Sequence, residues 1–411
     1  MIHFEKFTLD NGLKVLVHRD RTTPIVVMNI LYHVGAKDEN PDLTGFAHLF
    51  EHLMFGGSKH IPKYDEPLQK VGGENNAFTN NDITNYYLSI PKENLETAFW
   101  LESDRMLDLA FSEKSLEVQR NVVIEEYKQR YLNQPYGDLW LMLRPLVYKV
   151  HPYRWATIGK DIAHIENARM EDVKAFYAKY YNPDNAIMVI AGDVDTKEIK
   201  RLSEKWFGPI PSGKAVAREI PAEPEQTEAR FLQVEREVPL NAIFKVYHMC
   251  GRTDPDYHAT DLISDIMANG KSSRLYQRLV KENPLFTSVQ SFITGDIHPG
   301  MLLFAGYLSE GVSAEEADAA LEAEIRKLTE KAPDKDELEK VKNKVESALV
   351  FSEINTLDRA MNLAFFELLG DAAEINRELD KYRKVKPEDI QRVARNVLQK
   401  KNSSTLYYLK K

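Results

Sequence analysis

The chain has 411 residues, 43% hydrophobic and 28% charged, which is enough for more than one domain with its own core. Its formal net charge of −9 argues against nucleic acid as a partner and otherwise reads as ordinary solubility charge. One cysteine, Cys250, excludes an internal disulfide, and with no run of about eighteen apolar residues nothing marks the chain for a membrane.

Met1 runs directly into an alternating strand without a basic-then-apolar leader, so the expectation is a cytoplasmic protein, or a periplasmic one if a leader has been removed. Strand-like runs follow at 4–18, 24–34 and 83–90, with helical patterns at 44–55, 65–70, 92–110 and 113–131. A helix at 170–180 precedes a strand at 185–192. The richest Pro/Gly stretch, from Gly208-Pro209 to Pro221-Ala222-Glu223-Pro224, marks a boundary. Beyond it come strands near 229–238, 241–248, 285–294 and 301–308 and a last strand at 404–409. Helices are expected there at 257–268, 272–282, 313–331, 334–350, 355–370 and 386–398. The expected partition is 1–212, a linker at 213–228, and 229–411, the second part repeating the plan of the first.

His48-Leu49-Phe50-Glu51-His52 carries the chemistry. On a helix, His48 and His52 lie one turn apart on one face with Glu51 beside them, so both imidazoles reach one ion. Zinc accepts two His nitrogens and a third protein ligand while keeping one position for water, and Glu51 is placed to take that water's proton. The flanking Phe46, Ala47, Leu49, Phe50, Leu53, Met54 and Phe55 make the helix apolar nearly all round, the pattern of a buried helix. Thr44 is the expected N-cap and Gly56-Gly57 the stop. The third ligand is expected from the helix at 113–131. There Glu126 follows Val122 and Val123 on the apolar stripe, whereas Glu125 falls on the polar side.

The inverted His-x-x-Glu-His order, followed by the Val-Val-x-Glu-Glu helix that ends in Glu126, resembles the M16 metallopeptidases, the group that includes insulin-degrading enzyme, pitrilysin and the mitochondrial processing peptidase. Further likenesses are Leu9-Asp10-Asn11-Gly12-Leu13-Lys14-Val15, Asn76-Ala77-Phe78-Thr79 with Thr84-Asn85-Tyr86-Tyr87, His151-Pro152-Tyr153, and Tyr181 to Ala186 ending in Ala191-Gly192-Asp193-Val194. The resemblance implies an α+β fold of two homologous α/β-sandwich halves, each a mostly antiparallel sheet flanked by helices, with the metal site in the first half alone. It implies one catalytic Zn2+ per chain on His48, His52 and Glu126, Glu51 as general base, and extended peptide laid along the strand Asn76, Ala77, Phe78 and Thr79.

Two departures stand out. Family members often carry Glu where this chain has Gln119. Many also hold an Arg and a Tyr seven residues apart in a stretch resembling Leu279 to Val289, where this chain has Val280 and Thr287; Arg274, Tyr276 and Arg278 lie nearby on the preceding helix. In the family's two-subunit peptidases the metal site and the Arg/Tyr pair are divided between chains. The expectation is therefore a zinc subunit working with a second M16-like subunit that supplies the pair. A self-sufficient homodimer and a non-catalytic scaffold or peptide-binding subunit remain the alternatives.

Overall fold

The computed structural model describes residues 1–214 and 216–411. In chain order the first elements are β1 (Glu5–Thr8), β2 (Lys14–Arg19), β3 (Ile25–Tyr32), α1 (Phe46–Leu53), α2 (Asp65–Lys70), β4 (Glu74–Thr79) and β5 (Thr84–Pro91). Next come α3 (Leu95–Leu107), α4 (Glu113–Tyr127), α5 (Leu139–Val147), α6 (Ile162–Glu166), α7 (Met170–Tyr180), β6 (Ala186–Gly192) and α8 (Thr196–Trp206). After the Pro-rich stretch follow β7 (Arg230–Arg236), β8 (Ala242–His248), α9 (Tyr257–Ala268), β9 (Phe286–Ile293) and β10 (Met301–Leu308). The last are α10 (Ala314–Glu330), α11 (Lys335–Ser352), α12 (Thr356–Leu368), α13 (Glu378–Lys384), α14 (Pro387–Val397) and β11 (Ser403–Lys410). The fold is α+β, with two mixed sheets flanked by helices.

The expected strand at 4–18 is two strands, because Gly12 turns the chain at φ 92, a left-handed conformation that glycine adopts without a Cβ penalty. Helices α5, α6, α8 and α13 were not anticipated. The helix expected at 113–131 leaves α-geometry after Tyr127 and continues as a π-turn over Lys128–Leu132.

Two compact units result. The first comprises Met1–Gln129, Trp155–Pro221 and Val350–Arg377; the second comprises Arg130–Arg154, Ala222–Leu349 and Glu378–Lys411. These units differ from the partition 1–212 and 229–411 in two segments, since α12 belongs with the first unit and α5 with the second.

In the first unit the strand order is β1-β2-β6-β3-β5-β4. The pairs are antiparallel except β2 with β6. Central β3 and β6 read as near-continuous β-branched and aliphatic runs because both faces are covered. β4 lies at the edge and alternates exposed with half-buried residues. One sheet face is closed by α12, whose fully buried Leu363 packs in a cluster with Leu16, Val27, Leu31 and Val189. Leu363→Ala should therefore destabilise the chain by about 2–5 kcal/mol, the usual cost of emptying a Leu-sized core site. Urea unfolding followed by circular dichroism measures it, and a loss well under about 1 kcal/mol would contradict this packing.

The second unit repeats the arrangement without a counterpart of β1, in the order β7-β11-β8-β10-β9, again with a single parallel pair, β7 with β11. Leu143 and Val147 of α5 pack in a cluster with Phe244, Val246, Leu303 and Leu406. On this ground plan α9 follows β8 as α1 follows β3.

Candidate metal centre

α1 is only eight residues long, too short to persist by its own hydrogen bonds, so packing and end contacts must hold it. Phe46, Ala47, Leu49, Phe50 and Leu53 are buried, and Phe50 stacks on Phe176 and Tyr181 at ring separations of 5.2 and 5.1 Å. His48, Glu51 and His52 occupy the partly open face.

Thr44 does not cap this helix. Its hydroxyl is engaged by the Lys160 amide at 2.9 Å and by His164 Nδ1 at 2.9 Å. The N-cap is Gly45 at φ 90, where an added Cβ would lie 2.7 Å from the Ile158 carbonyl oxygen. The cap's work is done by Glu39, whose two carboxylate oxygens accept the Gly45 and Ala47 N–H groups, each at 2.9 Å. The other end stops as expected, with the Gly56 amide donating to the Leu53 carbonyl at 3.0 Å and Gly57 at φ 102.

α4 packs against α1. Ser112 caps it by accepting the Ser115 amide, and Leu116, Val123 and Tyr127 are buried. Val122, expected on the apolar stripe, is exposed, whereas Glu126 turns inward beside Val123. Glu125 faces solvent and pairs with Lys128 at 2.8 Å.

The three expected ligands converge. Glu126 Oε2 lies 3.4 Å from His52 Nε2 and 3.6 Å from His48 Nε2, and the two Nε2 atoms are 3.4 Å apart. A tetrahedral ion with bonds of about 2.0–2.1 Å holds its donors about 3.3–3.4 Å from one another, so this triangle has the dimensions of three corners around one zinc. Two imidazoles and a carboxylate are also the donor set of a catalytic rather than a structural zinc site. Among the described residues this is the one group of three or more His, Cys, Asp or Glu side chains close enough to share an ion.

Glu51 sits one position before His52, and its charge helps push up the buried Tyr86 and Tyr181 phenols, mainly raised by burial. Behind α1, the fully buried Arg105 guanidinium stacks on the Tyr64 and Tyr86 rings at 4.6 and 4.5 Å and pairs with Glu102 at 2.7 Å. Beside Gly56, where α1 ends, lies the Gln119 side chain.

Asn76, Ala77, Phe78 and Thr79 lie on edge strand β4, paired with Tyr87, Tyr86, Asn85 and Thr84 of β5, and β4 packs beside α1. In the second unit, Val280 lies in a π-turn over Tyr276–Glu282 against the core, and Thr287 on β9 donates its hydroxyl to the Tyr307 carbonyl at 3.1 Å. The nearby guanidiniums are committed: Arg274 is held by Glu337 at 2.8 and 2.6 Å, and Arg278 by Glu282.

Sequence reasoning missed Glu39. Burial, foremost, pushes its carboxyl up to about 8; the Ala47 and Gly45 amides and Trp155 pull it down, and Asp38 adds to the rise. A raised pKa means that the folded state holds this proton more tightly than the unfolded chain. The stability it contributes is full below the ordinary value of 4.5 and is lost as pH rises through about 8. Melting temperature followed over that interval should fall with pH more steeply in wild type than in Glu39→Gln; parallel curves would refute the assignment.

The comparisons agree with the geometry. Residues 14–138 match the model described as Insulinase (Peptidase family M16), and residues 167–345 match that of the Peptidase M16 inactive domain. The chain is 29% identical to a "Zinc protease PqqE" of Helicobacter pylori over 98% of this chain and 92% of that protein. It is 23% identical to a "Probable mitochondrial-processing peptidase subunit beta" of Arabidopsis thaliana over 84% of this chain and 66% of that one. A crystal structure of a protease from Helicobacter pylori superposes with a TM-score of 0.92 at 28% identity, covering 99% of this chain and 100% of that one. With two family models spanning most of its length and the inverted zinc motif folded into a ligand triangle, the chain belongs to peptidase family M16.

Proposed function

We propose that the chain is a zinc-dependent endopeptidase acting on peptides or unfolded segments, and that it is the catalytic subunit of a two-subunit M16 peptidase. The observation that carries this reading is the triangle of His48, His52 and Glu126 donors with Glu51 on the same face of α1. One zinc ion held there supplies Lewis acidity, lowering the pKa of a water and offsetting charge on a peptide carbonyl. Glu51 takes a proton from the attacking water on its carboxylate and returns it to the departing amine. Edge strand β4, through Asn76, Ala77, Phe78 and Thr79, pairs with an extended substrate by main-chain hydrogen bonds, which reads little sequence.

The subunit reading rests on Val280 and Thr287, which stand where the family's Arg and Tyr grip substrate, and one relative is itself named a subunit. No helix among the described residues is long and apolar enough to cross a membrane. The test is hydrolysis of a mixed peptide pool by this chain with added zinc, alone and mixed with an M16-like protein encoded beside it. Activity is expected only in the mixture. Full activity of the pure chain would replace the subunit reading with a homodimer, and purification without stoichiometric zinc would leave a scaffold.

A further inference from the structure

We propose that Glu39 is a positioning residue for the metal centre: it grips the first turn of α1 and ties that turn to the β4–β5 hairpin, so that His48 and His52 meet Glu126 at ligand distance. The inference deepens the peptidase reading and rests on it.

The first turn of a helix leaves its N–H groups without intrahelical partners, and Gly45 has no side chain to offer them. Glu39 replaces a local cap with a two-point one. One oxygen takes the Gly45 N–H and the other the Ala47 N–H, on either side of Phe46, so both the rise and the rotation of the helix are fixed at its start. His48 is the next residue after the second contact, and His52 follows one turn later. Rotating an eight-residue helix about its axis swings both imidazoles together relative to Glu126 on α4. A displacement of about 1 Å is enough to spoil bonds that tolerate about 0.2 Å.

The grip has a rigid base. Glu39 is buried, and the segment before it is bonded to the turn that joins β4 to β5. Ala36 N–H donates to the Asn80 carbonyl at 3.0 Å and Lys37 N–H to the Asn81 carbonyl at 2.9 Å. The Lys37 ammonium, also buried, reaches the Asp82 carboxylate at 3.0 Å and the Asp82 carbonyl at 2.9 Å. The Trp155 indole N–H donates to the Ala36 carbonyl at 2.9 Å. Asp38 next door is pinned by Arg218 Nε at 2.9 Å. Hydrogen bonds at both ends of the short 36–39 segment thus link the hairpin carrying the edge strand to the helix carrying both histidines. Moving either element strains the other.

The test uses the full chain and zinc itself. Zinc dissociation constants are measured by competition with a chromogenic chelator at one fixed pH, beside the melting temperature of each zinc-free protein, for wild type, Glu39→Gln, Glu39→Ala and Asp195→Ala. Asp195 caps the remote helix α8 by accepting the Lys197 amide at 3.0 Å, so its variant loses a cap without touching α1. Glu39→Ala is expected to bind zinc about 10-fold more weakly, the scale of losing a partner that orients ligands. Glu39→Gln keeps one acceptor oxygen and should fall between it and wild type, while Asp195→Ala lowers the melting temperature and leaves zinc affinity unchanged. Glu39 variants that melt lower yet bind zinc as tightly as wild type would overturn the inference. Should Glu39→Ala fail to fold, the near-isosteric Glu39→Gln decides the matter by the same measurement. A wild-type chain that takes up no zinc overturns the peptidase reading itself, and this inference with it.

Discussion

Glu51→Gln is expected to keep the fold and the bound zinc while peptide hydrolysis falls by about 10²–10⁴-fold, the share of a rate that a positioned general base supplies. Glutamine has nearly the same shape and keeps an acceptor oxygen, but it cannot take a proton at neutral pH. Glu51 is not one of the three converging ligand side chains, so its replacement separates binding of the ion from chemistry at it. The measurements are kcat on a fluorogenic peptide, with the proposed partner subunit present, and zinc content by elemental analysis. A variant that keeps more than about a tenth of wild-type kcat would exclude Glu51 as the base.

Glu126→Ala removes one corner of the triangle and leaves two imidazoles of one short helix to hold the ion. Zinc affinity should fall by more than about 100-fold, beyond the range typical of losing an outer partner, and hydrolysis should disappear with the metal. Glu125→Ala is the matched control. Its carboxylate is largely solvent-exposed and pairs with Lys128, an exposed pairing worth under about 1 kcal/mol. Dialysis followed by elemental analysis, with thermal shift on adding zinc back, distinguishes the two. Wild-type chain at a zinc concentration of about 100 times its dissociation constant should gain about 2.7 kcal/mol of stability, and Glu126→Ala should gain far less. Equal zinc retention by both variants would remove Glu126 from the ligand set.

The convergence of the three candidate ligands was readable because each residue announces itself locally. His48 and His52 share a face through helical spacing, and Glu126 is separated from Glu125 by the burial of Val123. Val122 was misread because the buried face of α4 runs through Val123, Ile124 and Tyr127, which leaves Val122, about 100° before Val123, on the exposed side. Thr44 was misread for a related reason: a hydroxyl just before a helix is the ordinary cap, whereas here the capping oxygens come from Glu39, whose reach depends on the path of the loop between. No pattern in the sequence records that path. Of the helices that escaped notice, the two longest, α5 and α8, did so for different reasons. α5 carries Pro145 inside it, a residue that normally ends helical patterns, while α8 shows its apolar side through just Ile199, Leu202 and Trp206. The Pro/Gly-rich stretch does interrupt the regular elements, yet contiguity along the chain does not settle which sheet a helix covers, as α12 and Leu363 show.

That exchange of helices bears on how the protein is made. The unit with the zinc ligands is begun first on the ribosome, but the sheet face of Leu16, Val27, Leu31 and Val189 stays uncovered until Val350–Arg377 has been synthesised. Nascent chains that stall or are cleaved before α12 emerges would carry an open apolar face, which makes them natural clients for chaperones and quality control. The unit that holds the ligand triangle is thus closed only after the intervening strands β7 to β10 of the other unit have been synthesised.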